Sequence, residues 1–386
     1  MSALAVSARK WETKPFSEVV DILDSQRIPV NSEERAKRVG DVPSYGATGQ
    51  VGSIDKHIFD EELVLLGEDG APFLDSGKPK AYLIRGKSWV NNHAHVLRGK
   101  PGLLNPFLLY QLNNLNYRPY VSGTTRLKLP QGPMKRIPLL VPPEDEQRRI
   151  VGEIEKQFSR LEEGVGALKR VQANLKRYRA AVLKTICEGD WPRKPLGEIA
   201  EVKLGKMLDK SKHVAGRKLP YLRNVNVRWG KIDTDDVNEM FFKENELGRY
   251  GLKAGDVLVC EGGEPGRAAV WSGDLPEMKY QKAIHRVRFN IPFDPRLLVW
   301  QLERLAFTGG LERRFTGSTI KHFTREAFVE LPVPIPPPKE KLRIVAEVER
   351  RLSVVEEMQT TVEANLQRAT RLRQSILQKA FEGKLA

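Results

Sequence analysis

Residues 80–98 read KAYLIRGKSWVNNHAHVLR and residues 221–231 read YLRNVNVRWGK. Both stretches interleave cations, amides and aromatic rings: Lys80, Arg85, Lys87, Trp89, Asn91, Asn92 and His93 in the first, Arg223, Asn224, Asn226, Arg228 and Trp229 in the second. Such side chains can read nucleic-acid bases, because arginine and lysine favour guanine while asparagine and glutamine favour adenine. Two later stretches, SGTTRLK and TGSTIK, supply hydroxyls suited to phosphate contacts at Thr124, Thr125, Ser318 and Thr319, with Arg126, Lys128 and Lys321 beside them. The segment NNHAHVLR (91–98) is echoed by QKAIHRVR (281–288), which adds Gln281, Lys282 and His285.

Catalytic signatures are missing. The chain has no G-x-x-x-x-G-K-[ST], H-E-x-x-H, G-x-S-x-G or G-x-G-x-x-G pattern. Asn105-Pro106-Phe107 lacks the second proline of an amino-methyltransferase motif and is read as a capped helix start. His93 and His95 have no third ligand nearby, so they are read as buried or DNA-facing rather than metal-binding. CEGGEPGR (260–267), with Arg267, is read as a turn in preference to a phosphate cradle. Cys187 and Cys260 are the only cysteines, which predicts neither a disulfide framework nor a zinc site and fits a reducing cytoplasm. No cofactor and no catalytic residue is expected in this chain.

The charge agrees with a polyanionic partner. The 386 residues carry a net +15, and residues 1–70 sum to −5 while 71–136 sum to +10, so the basic excess is concentrated on part of one block. No apolar run is long enough to span a membrane and no signal peptide opens the sequence.

The elements that must position these residues are written twice. At an offset of 194, residues 137–189 match 331–383 without a gap, with 17 of 53 positions identical. Upstream, WETKPFSEV (11–19) matches WPRKPLGEI (191–199). Each repeated segment opens on a proline pair, which starts a helix but cannot lie inside one. Apolar residues then fall at 3,4 spacing through Val151, Ile154, Phe158, Leu161, Val165, Leu168, Leu175, Val182 and Ile186, and through Val345, Val348, Leu352, Val355, Val362, Leu366, Ala369, Ile376 and Ala380. Arg179 and Arg373 occupy equivalent seam positions. That spacing predicts two rods, each roughly 65 Å long, with a coiled-coil seam for which the other copy is the nearest partner. Antiparallel packing would bring Arg179 near Glu347 or Glu349 and Arg373 near Glu153 or Glu155. Between the rods, β-branched alternating stretches and the short helices NPFLLYQLNNL and DPRLLVWQLERL predict mixed blocks. The expected fold class is α+β: two α/β globules separated by two long helices, an internal duplication. The expected domains are 1–136, 137–189, 190–330 and 331–386.

At these residues the chain resembles the specificity subunit of type I restriction-modification systems. The likeness lies in VPPEDEQRRIVGEIE with IPPPKEKLRIVAEVE, in the WxxKP openings, in YGATGQVG (Tyr45, Thr48) with GKSWVNNHAHVL, and in PYLRNVNVRWGKID with GDVLVCEGGEPGR. It implies that 1–136 and 190–330 are target-recognition domains, each reading half of a bipartite DNA sequence, with the two helices, 137–189 and 331–386, packed antiparallel as the spacer in a pseudo-twofold arrangement. It also implies double-stranded DNA, two modification subunits and restriction subunits as partners, and no membrane. S-adenosylmethionine, ATP and Mg2+ belong on the partners. The rival readings are a self-sufficient methyltransferase or nuclease and a coiled-coil scaffold unrelated to DNA.

If the helices set the distance between two readers, four residues inserted after Leu168 add roughly 6 Å of helix against about 3.4 Å per base pair. The methylated motif, read by single-molecule sequencing, is then expected to keep both half-sites and gain one or two unspecified base pairs. Exchange of residues 11–136 for a relative's block is expected to change one half-site and leave the spacer alone.

Overall fold

The computed structural model describes residues 11–184, 189–208, 216–319 and 321–385; residues 1–10 and the seam and repeat positions Ile186, Cys187 and Glu188 lie outside them. The chain divides into two compact units, residues 1–170 with 362–386 and residues 171–361.

In the first unit a four-stranded antiparallel sheet runs in the order Val20–Ile22, Ala94–Gly99, Leu63–Gly67, Ala81–Ile84. Leu63, Val64, Leu65 and Leu66 are all fully buried because both faces of their strand are covered. On one face Val64 and Leu66 pack with Phe107, Leu108 and Leu112 of the helix Asn105–Asn114. On the other, Leu63 and Leu65 pack with Phe59 and Val90, from a second sheet ordered Gly49–Ile54, Val42–Gly46, Lys87–Val90, Phe59–Asp60. At roughly 1.5–3 kcal/mol for each buried aliphatic side chain, this central strand is a main support of the unit.

The second unit repeats the plan. Its antiparallel sheet is Ala200–Leu204, Ile284–Phe289, Val257–Cys260, Ala268–Val270, and a three-stranded sheet joins Asn238–Phe242, Arg217–Leu222 and Lys279–Tyr280. In both units the second sheet contains one parallel pair, Val42–Gly46 with Lys87–Val90 and Arg217–Leu222 with Lys279–Tyr280. The helix Pro295–Phe307 is capped by Asp294, whose carboxylate accepts from Arg296 N–H at 3.0 Å. The cap expected of Asn105 is a correction. Asn105 sits inside its helix, accepting from Gly99 N–H at 2.8 Å and donating to Glu62 C=O at 2.9 Å. It ties the helix to the sheet, and the preceding Leu104 N–H goes to Gln147 at 2.9 Å.

Each unit is closed at its base by a short ribbon. Glu12–Pro15 pairs antiparallel with Pro138–Val141, and Arg193–Pro195 with Pro332–Pro334. Equivalent backbone bonds follow, Phe16 N–H to Ile137 C=O and Leu196 N–H to Leu331 C=O, both at 2.9 Å. Equivalent glutamines brace the ribbons: Gln111 donates to Leu140 C=O at 3.1 Å and Gln301 to Pro332 C=O at 2.7 Å. Gln111 also accepts from Leu140 N–H at 2.6 Å. Gln301 instead meets Pro332, which has no N–H to return, and its Oε1 is buried without a partner among the described residues.

The duplicated helices are Glu144–Lys184 and Pro338–Phe381, starting at or just after their proline pairs. Within the first unit Ile150, Val151, Ile154 and Phe158 share a core with Ile376, Leu377 and Ala380, with Leu161 partly buried against it. Within the second, Val182 and Leu183 share one with Ile344, Val345, Val348 and Leu352, and Val355 is buried too. In both units the two helices run in opposite directions, as the family resemblance implies. The seam is less uniform than expected, because Val165, Leu168, Leu366 and Ala369 are only half-buried. Burial is deepest where globule side chains add a third surface, as where Tyr110 and Phe107 meet Phe158 and Phe381 with ring centres 5.8 and 5.3 Å apart.

The seam arginines find other partners than expected. Arg179 pairs with Glu303, Nε to Oε1 at 2.5 Å and a second nitrogen to Oε2 at 3.0 Å, and with Glu356 at 3.4 Å. Arg373 pairs with Glu162 at 3.1 Å and lies 4.0 Å from the Phe158 ring centre. Sequence spacing placed the acids of the opposite helix start; the globule helix supplies Glu303 instead, while Glu347 is engaged by Arg350 and Arg351 on its own helix.

Two outcomes follow. The Arg179 and Glu303 side chains are 11% and 4% exposed, so Glu303→Gln alone is expected to cost about 3–5 kcal/mol, and Arg179→Met with Glu303→Leu together substantially less. Arg373→Ala, whose partner Glu162 is 67% exposed, should cost no more than about 1 kcal/mol in its ion pair. Denaturant unfolding of the full chain measures all three. Second, burial lowers the pKa of His285 despite its bond to Phe323 C=O, so the folded state keeps the ring neutral while the unfolded chain takes up a proton below pH ~6.5. Stability is therefore expected to fall as pH drops below that value, and His285→Gln should show a smaller loss of Tm between pH 7.5 and 5.5.

Candidate nucleic-acid interface

In the first unit, stretches far apart in sequence converge on one open cavity of about 900 Å3, lined by Asn31, Arg35, Thr48, Asp69, Gly70, Asn91, Asn92, His93, Thr125 and Arg126 among others. Five of the predicted contacts, Thr48, Asn92, His93, Thr125 and Arg126, thus share one concave surface, with Thr124 and Lys128 exposed beside it and Tyr45 half-buried on the adjacent strand. Asn91 also lines it, yet its amide is spent on the fold: Nδ2 donates to Val30 C=O at 2.9 Å and Oδ1 accepts from Asn92 N–H at 2.8 Å.

What holds the loop 122–129 in place is a buried network. His95, fully buried, has Nε2 at 2.8 Å from Leu129 C=O and Nδ1 at 2.6 Å from Asp24. Asp24 also accepts from Val96 N–H at 2.8 Å and Gln131 at 2.6 Å. Burial pushes the Asp24 carboxyl up, but the bonds and charges of His95, Val96 N–H and Arg27 outweigh it and leave the pKa below the ordinary range. Asp24, Glu68 and His95 bring ligand-type atoms within 4.8 Å of one another. Arg27 already supplies their countercharge, at 2.6 Å from Glu68 and 3.5 Å from Asp24. The same clamp recurs in the second unit, where fully buried His285 has Nε2 at 2.8 Å from Phe323 C=O.

Four expected contacts are corrected, because the fold uses them. Lys80 is 3% exposed and donates to Asp75 C=O at 2.7 Å; burial, against the pull of Asp75, lowers its pKa. Trp89 is buried, donates to Ile28 C=O at 3.1 Å and is covered by Arg38, 4.4 Å from its ring centre. Asn226 is buried and holds its turn through Asp233 and Asp236 carbonyls at 3.0 and 2.8 Å. His285 is the clamp already described. Arg85 and Lys87 are exposed, with Arg85 2.9 Å from Glu62, and they do not line the cavity.

In the second unit Arg228, Lys282, Ser318, Thr319 and Lys321 are exposed, and Arg223, Asn224, Trp229, Arg267 and Gln281 partly so. Several are braced: Arg267 pairs with Glu264 at 2.7 Å and donates to Asn224 C=O at 2.8 Å, Trp229 donates to Glu264 at 3.0 Å, and Arg223 pairs with Asp236 at 2.8 Å. CEGGEPGR forms the expected turn, closed by Cys260 N–H to Arg267 C=O at 2.8 Å and Gly266 N–H to Cys260 C=O at 2.9 Å. Cys260 is a free, buried thiol that burial pushes up to about 11. Among the described residues no helix is long and apolar enough to cross a membrane.

Sequence reasoning missed Asp69, Arg35 and Asn31. Asp69 lies within the segment GEDGA (67–71), and its contacts with Arg126, with Lys128 at 3.8 Å and with His93 at 3.8 Å depend on pairing across the fold.

Comparison with known proteins agrees with this arrangement. The family model described as type I restriction modification DNA specificity domain matches residues 8–167 and again 188–367. Over 87% of this chain and 86% of the relative, the sequence is 28% identical to S.HindORF215P of Haemophilus influenzae, which bears the name of a type I restriction enzyme specificity subunit. Identity to the EcoDI specificity subunit of Escherichia coli is 23%, covering 97% of this chain and 88% of that one. A solved chain from work on complex assembly and conformational transition of the type I R-M system has the same fold, with a TM-score of 0.73 at 17% identity over 97% of this chain and 98% of that chain. With its domain matched twice across most of the sequence, the chain belongs to the type I restriction modification DNA specificity family.

Proposed function

We propose that the chain is the sequence-reading subunit of a type I restriction-modification complex, and that each of its two units reads one half of a bipartite duplex target. The observation that carries the reading is the twofold match of a DNA specificity domain together with the convergence of Thr48, Asn92, His93, Thr125 and Arg126 on one cavity. Amides and cations on a concave surface can form the paired hydrogen bonds that distinguish base edges, and hydroxyls at its rim can hold phosphates. Divergence between the units, Asn91-Asn92-His93 against Gln281-Lys282-Ala283, suits half-sites of different sequence.

Methylation of adenine and cleavage of DNA belong, on this proposal, to modification and restriction subunits, with two modification subunits per chain. S-adenosylmethionine, ATP and Mg2+ would be held by those partners. Isothermal titration of the purified chain with S-adenosylmethionine is expected to give no heat of binding; binding at one site per chain would favour a self-sufficient methyltransferase.

Salt dependence tests the DNA-facing surface. Arg35→Ala and Lys128→Ala are each expected to weaken duplex binding and to reduce the slope of log K against log salt by about one unit. Lys80→Met should leave the slope unchanged, because that ammonium faces the fold. Unchanged slopes in both surface variants would show that the cavity does not meet DNA.

A further inference from the structure

We infer that Arg126 is a guanine-reading residue of the first unit and that Asp69 positions it; the inference rests on the DNA-reading role proposed above. The Arg126 guanidinium forms an ion pair with Asp69. It also lies against Gly70, where φ is +73° and an added Cβ would stand 3.2 Å from Arg126 Nε. Backbone pairing fixes both segments, Gly70 N–H to Leu127 C=O at 2.9 Å and Leu129 N–H to Glu68 C=O at 2.8 Å. The Asp69 side chain is 13% exposed and that of Arg126 60%, so the carboxylate is set into the wall while the arginine stays largely exposed beside the cavity that both line.

That pairing decides which partner suits Arg126. A phosphate contact draws on net positive charge, and the Asp69 carboxylate, which touches Arg126 but stands 3.8 Å from the Lys128 ammonium, cancels more of the arginine's than of the lysine's. Guanine O6 and N7 form a neutral acceptor pair that matches the guanidinium fork. A side chain restrained in advance by an ion pair also loses less freedom on binding. Arg35 lines the same cavity without a carboxylate partner among the described residues and suits a phosphate.

The second unit lacks the device. Phe323 N–H to Glu261 C=O at 2.8 Å is the counterpart of the Leu129 to Glu68 bond, which sets Gly262 where the first unit has Asp69, and the sequence repeat that aligns SGTT (122–125) with TGST (316–319) pairs Arg126 with Ile320, which lies outside the described residues. Any loss on removing the pair therefore falls on one half-site, and the other serves as an internal control for folding.

The test is selection of bound duplexes from a random library by the full-length chain, followed by sequencing. The wild-type chain is expected to select a bipartite motif. Arg126→Ala and Arg126→Lys are each expected to lower the preference for guanine at one position of one half-site by about tenfold, with the other half-site unchanged. Asp69→Asn keeps the arginine but frees it, so the same position should lose selectivity while binding to unrelated duplex strengthens. An intact motif with uniformly weaker binding in Arg126→Ala, restored by Arg126→Lys, would make Arg126 a phosphate contact and overturn the inference while leaving the functional reading in place. A wild-type chain that selects no motif would overturn the functional reading itself, and the inference with it.

Discussion

The pairing of each unit's first strand with the strand that enters its long helix is the constraint on which the rest depends. Glu12–Pro15 with Pro138–Val141 and Arg193–Pro195 with Pro332–Pro334 bring the two ends of each mixed block side by side. A block closed in this way can change length and surface without disturbing the helix that follows. That accounts for the sequence pattern: the helical repeat keeps its register at an offset of 194, and every length difference falls inside the blocks. Proline supports the arrangement twice, by ending the ribbon and by starting the helix without needing a hydrogen-bonded N–H.

From this base the structure builds its reading surface by clamps rather than by long elements. Each block places one histidine on the central sheet, His95 or His285, and uses it to hold the carbonyl of Leu129 or Phe323 behind the hydroxyl-bearing loop. The two clamps differ in their second partner. Asp24 faces His95 at 2.6 Å, whereas Nδ1 of His285 is buried with no partner among the described residues. Beyond these buried bonds the loops are closed by backbone pairs, Ser122 with Lys128 and Thr316 with His322, and Thr124, Thr125, Ser318 and Thr319 are exposed at their tips. Such an arrangement lets the tips diverge while the attachment stays the same.

Much of the architecture was legible in the sequence because its signals are local or repeated. The proline pairs, the 3,4 spacing and the matching WxxKP openings each specify one element, and the structure has those elements where the pattern puts them. The side-chain partners were not legible. Lys80 and Trp89 sit among true surface residues in KAYLIRGKSW, and only the tertiary contacts to Asp75 and Ile28 turn them inward. Arg179 was assigned to the opposite helix, but Glu303 from the globule reaches it first. Asp69 gave no sign of its role, since its partners lie 24 to 59 residues away and meet it only through the pairing of residues 68–70 with 127–129.

The central claim is that one chain reads DNA as two separate half-sites, one per unit. Hydroxyl-radical footprinting of the full-length chain on a duplex carrying its target tests this most directly. The account predicts two protected tracts flanking an unprotected interval, and substitution of bases in one tract should abolish protection there first while sparing the interval's sequence from any effect. A single continuous tract, or protection indifferent to sequence, would contradict it.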